Sequence, residues 1–213
     1  MSVHAAAPNL VPNGDFEAGN ADFTSAYVYS PGTNGDEGQY TVRSNPDPWN
    51  PLFISAPDHT SGSGLMYVGN GSPVDGAVVW QSLTIAVTPH TNYFFEAFVM
   101  NVCCSVPFPA NTPSVLEFSA SGDSLGVATT NIALAGTWQG LSEQWNSGSN
   151  STVQLSLINR NTQEAGNDFA IDDIYLGTQS TVTSPVPEPG SASLLMLGLV
   201  GLACRRMATR RAT

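Results

Sequence analysis

Apolar and polar residues alternate over short stretches along most of this chain. No stretch of residues 1–178 keeps the 3.6-residue apolar period of a helix over three turns. In 152–159, for example, Val153, Leu155 and Leu157 point to one face of an extended chain, and the polar residues between them point to the other. This pattern predicts strands with one buried face and one solvated face.

The stretches with this pattern are rich in Val, Ile, Thr, Phe, Tyr and Trp, the residues that favour strands. They are 39–43, 65–68, 77–87, 92–101, 114–119, 137–145, 152–159 and 168–176. Turn signals such as Ser121-Gly122-Asp123 separate them, and no helical pattern lies between them. The sequence therefore predicts an all-β fold, an antiparallel β-sandwich.

Charge is distributed unevenly along the chain. There is no Lys, and residues 1–190 hold only Arg43 and Arg160 against 17 acidic residues, a formal charge of −15. Because nucleic-acid binding needs clustered basic side chains, this balance argues against a nucleic-acid partner and against an anionic membrane surface. It is compatible with cations, neutral glycans and basic partners, or simply with a soluble extracellular protein.

The three cysteines are Cys103, Cys104 and Cys204. Two adjacent cysteines cannot join distant parts of a fold, so the chain is not a small disulfide scaffold. The sequence leaves three states open for Cys103 and Cys104: a ring between neighbouring residues, two bonds to a partner, or two half-buried thiols.

The composition changes after Gly177. Residues 178–185 are rich in Ser and Thr and predict a flexible linker. The apolar stretch 192–204 predicts a short hydrophobic helix, whose 13 residues are fewer than the roughly 20 of a comfortable membrane span. By the positive-inside rule, the arginines behind it would keep the C-terminus cytoplasmic and the body outside: Arg205, Arg206, Arg210 and Arg211. A plain anchor or a buried core helix are the alternatives.

The end of the chain contains Val186, Pro187, Glu188 and Pro189, then the hydrophobic stretch and the arginines. This order resembles the PEP-CTERM sorting signal of exopolysaccharide-producing Gram-negative bacteria. The resemblance implies that residues 186–213 form a sorting tail, transiently anchored in the inner membrane. An exosortase, a membrane-embedded cysteine transpeptidase, would then cleave near the Pro-Glu-Pro motif. The body would pass through the periplasm to the cell surface or medium.

Such proteins carry an N-terminal signal peptide, but the first 11 residues contain no apolar run of the necessary length. Ala5-Ala6-Ala7 is similar to the small-residue site at which signal peptides are cleaved. We therefore expect that the true start lies upstream and that residues 1–7 are a remnant of the cleavage region. Mapping the 5′ end of the transcript tests this.

The two ends of the body carry a second pattern. The segments 9–17 (NLVPNGDFE) and 167–176 (NDFAIDDIYL) resemble the first and last strands of the galactose-binding-like jelly roll, the fold of many carbohydrate-binding modules. Val79-Trp80-Gln81 and Gly136-Thr137-Trp138 fit the middle of that pattern. The resemblance covers residues 8–177 and implies a jelly-roll ectodomain.

In this fold the first and last strands often meet beside a structural Ca²⁺. Calcium binds six to eight oxygen atoms, which carboxylates and backbone carbonyls supply. The resemblance places Glu17 and Asp172 at the family's carboxylate positions, with Asp15 and Asp173 as further candidates. Because Ile174 breaks the alternation of the last strand, we predict a bulge at Asp172 and Asp173. The alternative is that these acids are solvated or cap turns.

A glycan site needs an exposed aromatic ring with polar groups nearby. Trp49 lies in a Pro-rich loop and is the best candidate, with Tyr67, Tyr27 and Tyr29 weaker. The other tryptophans lie inside predicted strands and are expected in the core: Trp80, Trp138 and Trp145.

No motif of an enzyme is present in the sequence. His4, His59 and His90 are isolated, and there is no zinc-ligand spacing, nucleophile elbow or phosphate loop. His59 is interpreted as a loop residue. The leading hypothesis is a non-enzymatic surface or matrix protein with a structural or adhesive ectodomain. A carbohydrate-binding module for exopolysaccharide is the second hypothesis, and a polysaccharide hydrolase is the third.

Overall fold

The computed structural model describes residues 8–33, 36–105, 112–164 and 166–182. These residues form strands connected by turns and a short 3-10 helix, Ile132–Leu134. The strands are β1 (Phe23–Thr24), β2 (Val28–Tyr29), β3 (Gln39–Arg43), β4 (Met66–Gly69), β5 (Val78–Ser82), β6 (Ile85–Ala86), β7 (Asn92–Asn101), β8 (Val115–Ala120), β9 (Asp123–Thr129), β10 (Gln139–Asn146), β11 (Thr152–Val153), β12 (Leu155–Asn159) and β13 (Phe169–Gly177).

Two main sheets build the predicted β-sandwich. One has the strand order β1-β5-β12-β8-β9, the other β10-β7-β13-β4-β3-β2, and β11 and β6 form a small ribbon. All pairs are antiparallel except β2 with β3. The strands predicted from alternation are present within a few residues of their bounds, with 77–87 and 152–159 each divided into two strands. The segment 9–17, which the resemblance implied to be the first strand, contains turns and no strand. The sequence did not predict β1 and β2, which have two residues each, or β9, whose DSLGVAT sequence lacks apolar alternation.

The main core fills the space between the two large sheets. It includes Phe95 and Val99 of β7, Phe118 of β8 and Leu155 of β12, all completely buried. These residues occupy the inward positions of the alternating pattern. Because a shift of one residue would turn them toward solvent, their burial fixes the register of each strand.

The six-stranded sheet is also covered on its opposite face, which we call the outer face. The connection between β3 and β4, residues 44–65, runs across it. Trp49 and Phe53 from this connection pack with Met66, Met100 and Ala170 of the sheet. Because the connection buries this surface, β4, β7 and β13 carry apolar residues on both faces.

The first and last segments of the domain meet, as the resemblance implied. Leu10 N donates to Leu176 O at 3.0 Å, and Asn9 Nδ2 donates to Ile174 O at 2.8 Å. Gly14 lies so close to Ile174 that a Cβ atom there would overlap its carbonyl oxygen. The N-terminal segment is therefore fixed against β13.

The last strand contains the predicted bulge. The register between β13 and β7 shifts between Asp172 and Tyr175, and Asp173 has a φ of 46°. Elsewhere, Cys103 and Cys104 are joined by a disulfide across a cis peptide bond, which decides among the states left open above. In the described ranges no helix has the length and apolar character to span a membrane.

Candidate functional site

The outer face carries a cleft of about 380 Å³ beside the 44–65 connection. Strand residues of this face form part of its wall, and irregular segments form the rest. We call it the outer cleft. It is lined by Asn9, His59, Phe98, Asp173, Tyr175 and Thr181.

Aromatic rings form one wall of the outer cleft. The imidazole of His59 stacks on the ring of Phe98, with centroids 3.6 Å apart and an interplanar angle of 16°. Trp138 meets His59 edge-on at 5.8 Å, and its Nε1 donates to Pro57 O at 3.1 Å. Trp138 therefore holds the segment before His59 in place, and the rings form one half-buried group.

A carboxylate from the bulge contacts the same histidine. Asp173 Oδ2 lies 2.5 Å from His59 Nδ1, and both side chains are 30 % exposed. Asp173 Oδ1 accepts from Thr60 Oγ1 at 2.8 Å. The contact with Nδ1 is a hydrogen bond in the Nδ1–H tautomer and an ion pair when His59 is protonated. In either form Nδ1 makes the contact with Asp173, and Nε2 takes no part in it.

The neighbouring Asp172 is buried behind Asp173. Its Oδ2 accepts from the backbone N–H groups of His59 at 2.8 Å and Thr60 at 3.1 Å, and its Oδ1 accepts from Asp173 N at 2.8 Å. Burial, which disfavours the charged form, raises the pKa of Asp172 to about 7 despite these hydrogen bonds. Asp172 thus attaches the loop that carries His59 to the bulge.

A second carboxylate shapes that loop from within. Asp58 Oδ2 accepts from Ser61 N and Asp58 Oδ1 from Gly64 N, both at 2.7 Å. Burial opposes ionisation of Asp58, but these backbone donors outweigh it and lower its pKa. Glu17 Oε1 accepts from Leu65 N at 2.9 Å at the end of the loop.

The four acids predicted to bind calcium are divided between two places. Asp172 and Asp173 lie at the bulge, and Glu17 contacts Leu65, with Asp15 Oδ1 accepting from Glu17 N at 3.3 Å. Both oxygens of Asp172 and of Asp173 already accept from protein donors. Within the described part of the chain, no group of three Asp, Glu, His or Cys side chains is arranged to hold a metal. These side chains by themselves do not form a calcium site, and calcium binding that includes backbone carbonyls stays a prediction.

The aromatic residues predicted to bind a glycan are not available. Trp49 and Tyr67 are both completely buried. Trp49 packs under its Pro-rich loop and donates from Nε1 to Ser30 O at 2.9 Å, and Tyr67 stacks on Tyr40 in the main core. Neither ring is exposed as predicted: Trp49 is buried because the 44–65 connection is folded onto the sheet, and Tyr67 because it is an inward residue of β4 in the main core.

Of the weaker candidates, Tyr27 is buried and Tyr29 is exposed. Trp80 lies in the core as predicted, whereas Trp138 and Trp145 are half-buried.

Sequence reasoning missed the three rings that line the outer cleft, those of His59, Phe98 and Tyr175. Phe98 has the opposite parity to the core residue Phe95 on β7, which was a usable signal for an outward ring. His59 carried no comparable signal, since its position depends on a loop fold that no local pattern reveals.

A second cleft of about 360 Å³ lies near the end of the domain and includes Leu10, Val87 and Tyr93. Tyr93 Oη accepts from Thr88 N at 2.9 Å, so the polar atom of this ring already has a partner. The lining contains no ionisable carboxylate, histidine or arginine, and the outer cleft remains the richer candidate for ligand binding.

Comparisons with known proteins found a family match for the C-terminal tail and similar solved structures for the body. Residues 185–211 match the family described as the PEP-CTERM protein-sorting motif. This chain carries a PEP-CTERM sorting motif. The match indicates an exported protein. No curated protein matches the sequence.

Solved structures share the fold of the body. A cyclase from Fischerella sp. TAU, solved with 4-(1H-indol-3-yl)butan-2-one, is 13 % identical, with a TM-score of 0.51 over 83 % of this chain and 100 % of that one. The arabinose-bound α-L-arabinofuranosidase MgGH51 is 14 % identical, with a TM-score of 0.51 over 79 % of this chain and 26 % of that one. A carbohydrate-binding module of the CBM4 class is 14 % identical, with a TM-score of 0.43 over 79 % and 99 %.

The family match at residues 185–211 supports the sequence prediction of a C-terminal sorting motif. The motif residues Val186, Pro187, Glu188 and Pro189, and the arginines Arg205, Arg206, Arg210 and Arg211, lie outside the described residues.

Proposed function

We propose that this PEP-CTERM protein is a surface or matrix adhesin that binds extracellular polysaccharide in the outer cleft. The observation that carries the proposal is the ring pair of His59 and Phe98 with the Asp173 carboxylate beside it. Sugars stack their C–H faces on rings and hydrogen-bond through hydroxyls, so a small site needs both kinds of group.

The charge of the site selects the ligand class. Asp173 supplies carboxylate oxygens, and the Thr181 hydroxyl, whose proton is donated to Glu96, keeps its oxygen as an acceptor at the cleft. Among the residues that the structure describes, no basic side chain lines the cleft besides His59, and residues 1–190 are strongly acidic. An anionic polysaccharide would be repelled, and we therefore infer a neutral or amino-substituted glycan.

A glycan-binding experiment tests this site. The full chain in mild detergent is probed by glycan array and affinity electrophoresis against neutral and anionic polysaccharides. Phe98→Ala and His59→Ala should each weaken retention about tenfold, the loss of one ring stack. Val127→Ala, which changes an exposed side chain on β9, is the control. Retention of no glycan, or equal retention by wild type and Phe98→Ala, contradicts the proposal.

The sorting step is proposed from the tail. The motif residues Pro187, Glu188 and Pro189 would be recognised by an exosortase, which cleaves near them after transient anchoring of the tail in the inner membrane. Deletion of 186–213, or Glu188→Ala, is followed in cells by fractionation and by the mass of the body. We expect retention of the uncleaved form with Glu188→Ala, and unchanged processing contradicts the proposal.

A non-catalytic role is supported by the state of the carboxyl groups. Asp172 is buried with both oxygens bonded, so it cannot reach a substrate, and Asp173 is bonded to His59 and Thr60. Incubation with the polysaccharides that bind should release no reducing ends. Release that disappears in Asp173→Asn would identify a hydrolase instead.

A further inference from the structure

The outer face contains a second buried carboxylate, Glu96, in the middle of β7. Its Oε1 accepts from Ser180 Oγ at 2.5 Å and from Ser142 Oγ at 2.9 Å. Its Oε2 accepts from Thr181 N at 2.7 Å, Thr181 Oγ1 at 2.7 Å and Val182 N at 3.2 Å. Four of these five donors belong to residues that follow the last strand.

These donors are arranged for an ionised carboxylate. Burial opposes the ionisation of Glu96, but the hydroxyls of Ser180 and Thr181 and the N–H of Thr181 outweigh it, and the pKa of Glu96 is lowered. Hydrogen bonds to a charged acceptor are about twice as strong as neutral ones. Consecutive backbone and hydroxyl donors on one carboxylate therefore form a binding site for this segment.

Packing supports the same contact. A Cβ atom at Gly140 of β10 would come within 2.8 Å of Val182 Cγ1 and 3.3 Å of Phe98 Cε1. The absent side chain thus makes room for Val182 against the sheet. Thr181 also lines the outer cleft with Phe98 and His59. We call residues 180–182 the strap.

The strap lies within the predicted linker. Residues 178–185 are predicted to be a flexible linker, and in the structure Glu96 accepts hydrogen bonds from residues 180–182. In the sequence only Thr183 and Ser184 separate the strap from the matched motif at 185–211.

We propose that Glu96 is a docking site for the chain's own strap, which fixes the last residues before the sorting motif to the domain and completes the outer cleft. The second half of this inference rests on the proposed glycan site, because Thr181 would contact that glycan. With the strap bound, the cleft keeps Thr181 as a wall. With the strap released, the cleft opens on that side and loses affinity.

Hydrogen exchange tests the docking without any ligand. In the full chain in mild detergent, Glu96→Gln removes the charge and one acceptor at nearly constant shape. The N–H groups of Thr181 and Val182 should then exchange at least about tenfold faster. Asp123→Asn, an exposed acid on β9, is the matched control with the same change of charge and should leave these rates unchanged.

A variant in the strap tests the same contact without a change in the sheet, where Glu96→Gln could disturb folding. Thr181→Val removes a hydroxyl donor without changing Glu96, and should also speed exchange of Val182 by several-fold while the exchange of β7 stays slow. If Glu96→Gln and Thr181→Val leave the exchange of Thr181 and Val182 at the wild-type rate, the docking site is refuted.

Glycan affinity distinguishes failure of the strap from failure of the glycan site. If wild type binds a glycan, Glu96→Gln should bind it at least about threefold more weakly. Equal glycan affinity of the two proteins, together with fast hydrogen exchange of the strap in Glu96→Gln, would refute the proposal that the strap forms a wall of the cleft. If wild type binds no glycan, both the proposed function and the role of the strap in glycan binding are refuted. The hydrogen-exchange data still decide whether Glu96 binds the strap.

Discussion

The two faces of the six-stranded sheet are built in different ways. On β7, Phe95 and Val99 face the second sheet and lie in a continuous apolar core, whereas Glu96 and Phe98 face outward. The inner face is covered by regular strands, and the outer face is covered by the 44–65 connection and the strap. The chemistry of the molecule is concentrated where irregular chain covers the sheet.

The physical reason is the supply of backbone donors. Strands use their N–H groups in the ladder, but irregular segments have N–H groups left to give. Asp172 receives those of His59 and Thr60, and Glu96 receives those of Thr181 and Val182. Both buried carboxylates are therefore satisfied without a basic side chain. The outer face can keep polar groups that the inner face could not.

Truncation of one ring on each face should give the largest contrast. Phe95→Ala removes a completely buried ring and should lower the free energy of unfolding by about 3–5 kcal/mol. Phe98→Ala removes a half-buried ring and should cost about 2 kcal/mol or less. Urea denaturation of both variants measures the difference. Equal losses would mean that the outer face is as tightly packed as the inner one.

The sequence predicted the inner face far better than the outer one. Period-2 alternation identified β12 and β13 and their buried sides, because burial against another sheet imposes that period, and the apolar run 92–101 identified β7 without its buried side. The bulge at Asp172 and Asp173 followed from Ile174 breaking the same period. These predictions depend only on neighbours within one strand.

The outer face depends on contacts between residues far apart in sequence. Trp49 was predicted to be exposed because Pro-rich loops usually are, yet it packs on the sheet. His59 meets Asp173 across 114 residues, and Ser180 meets Glu96 across 84. Polar side chains carry no periodic signal for such pairs, so the outer cleft and the strap could not be found from the sequence.

The pH dependence of stability should separate the two faces further. Burial raises the pKa of Asp172 to about 7, above its unfolded value of about 3.9. Between these values the native state holds a proton that the unfolded state has lost, so stability falls as the pH rises. Asp168 and Glu37, whose pKa values burial also raises to about 7, add to this slope. The midpoint of thermal unfolding should be higher at pH 5 than at pH 8.

Two variants identify where the slope originates. Asp172→Asn should lower the midpoint at pH 5, because only one of the two polar atoms of an amide can accept and at least one of the backbone N–H groups bonded to Asp172 loses its acceptor. It should also flatten the dependence between pH 5 and pH 8, because an amide does not titrate there. Phe95→Ala should lower the midpoint equally at both pH values, since it leaves Asp172, Asp168 and Glu37 in place. A wild-type midpoint that rises toward pH 8 would contradict the assignment.

Calcium should have the smallest effect of all. A metal that binds only the native state raises the unfolding midpoint, by an amount that grows with the logarithm of its free concentration once this exceeds the Kd. Because protein donors already occupy Asp172 and Asp173, and Glu17 is held by Leu65, we expect the midpoint to change by less than about 1 °C between excess calcium and a chelator. Mg²⁺ serves as the control for ionic strength. A rise with calcium alone, lost in Glu17→Gln, would show that the loop from Asp58 to Leu65 rearranges to free these carboxylates, and the outer face would then be a metal-dependent surface.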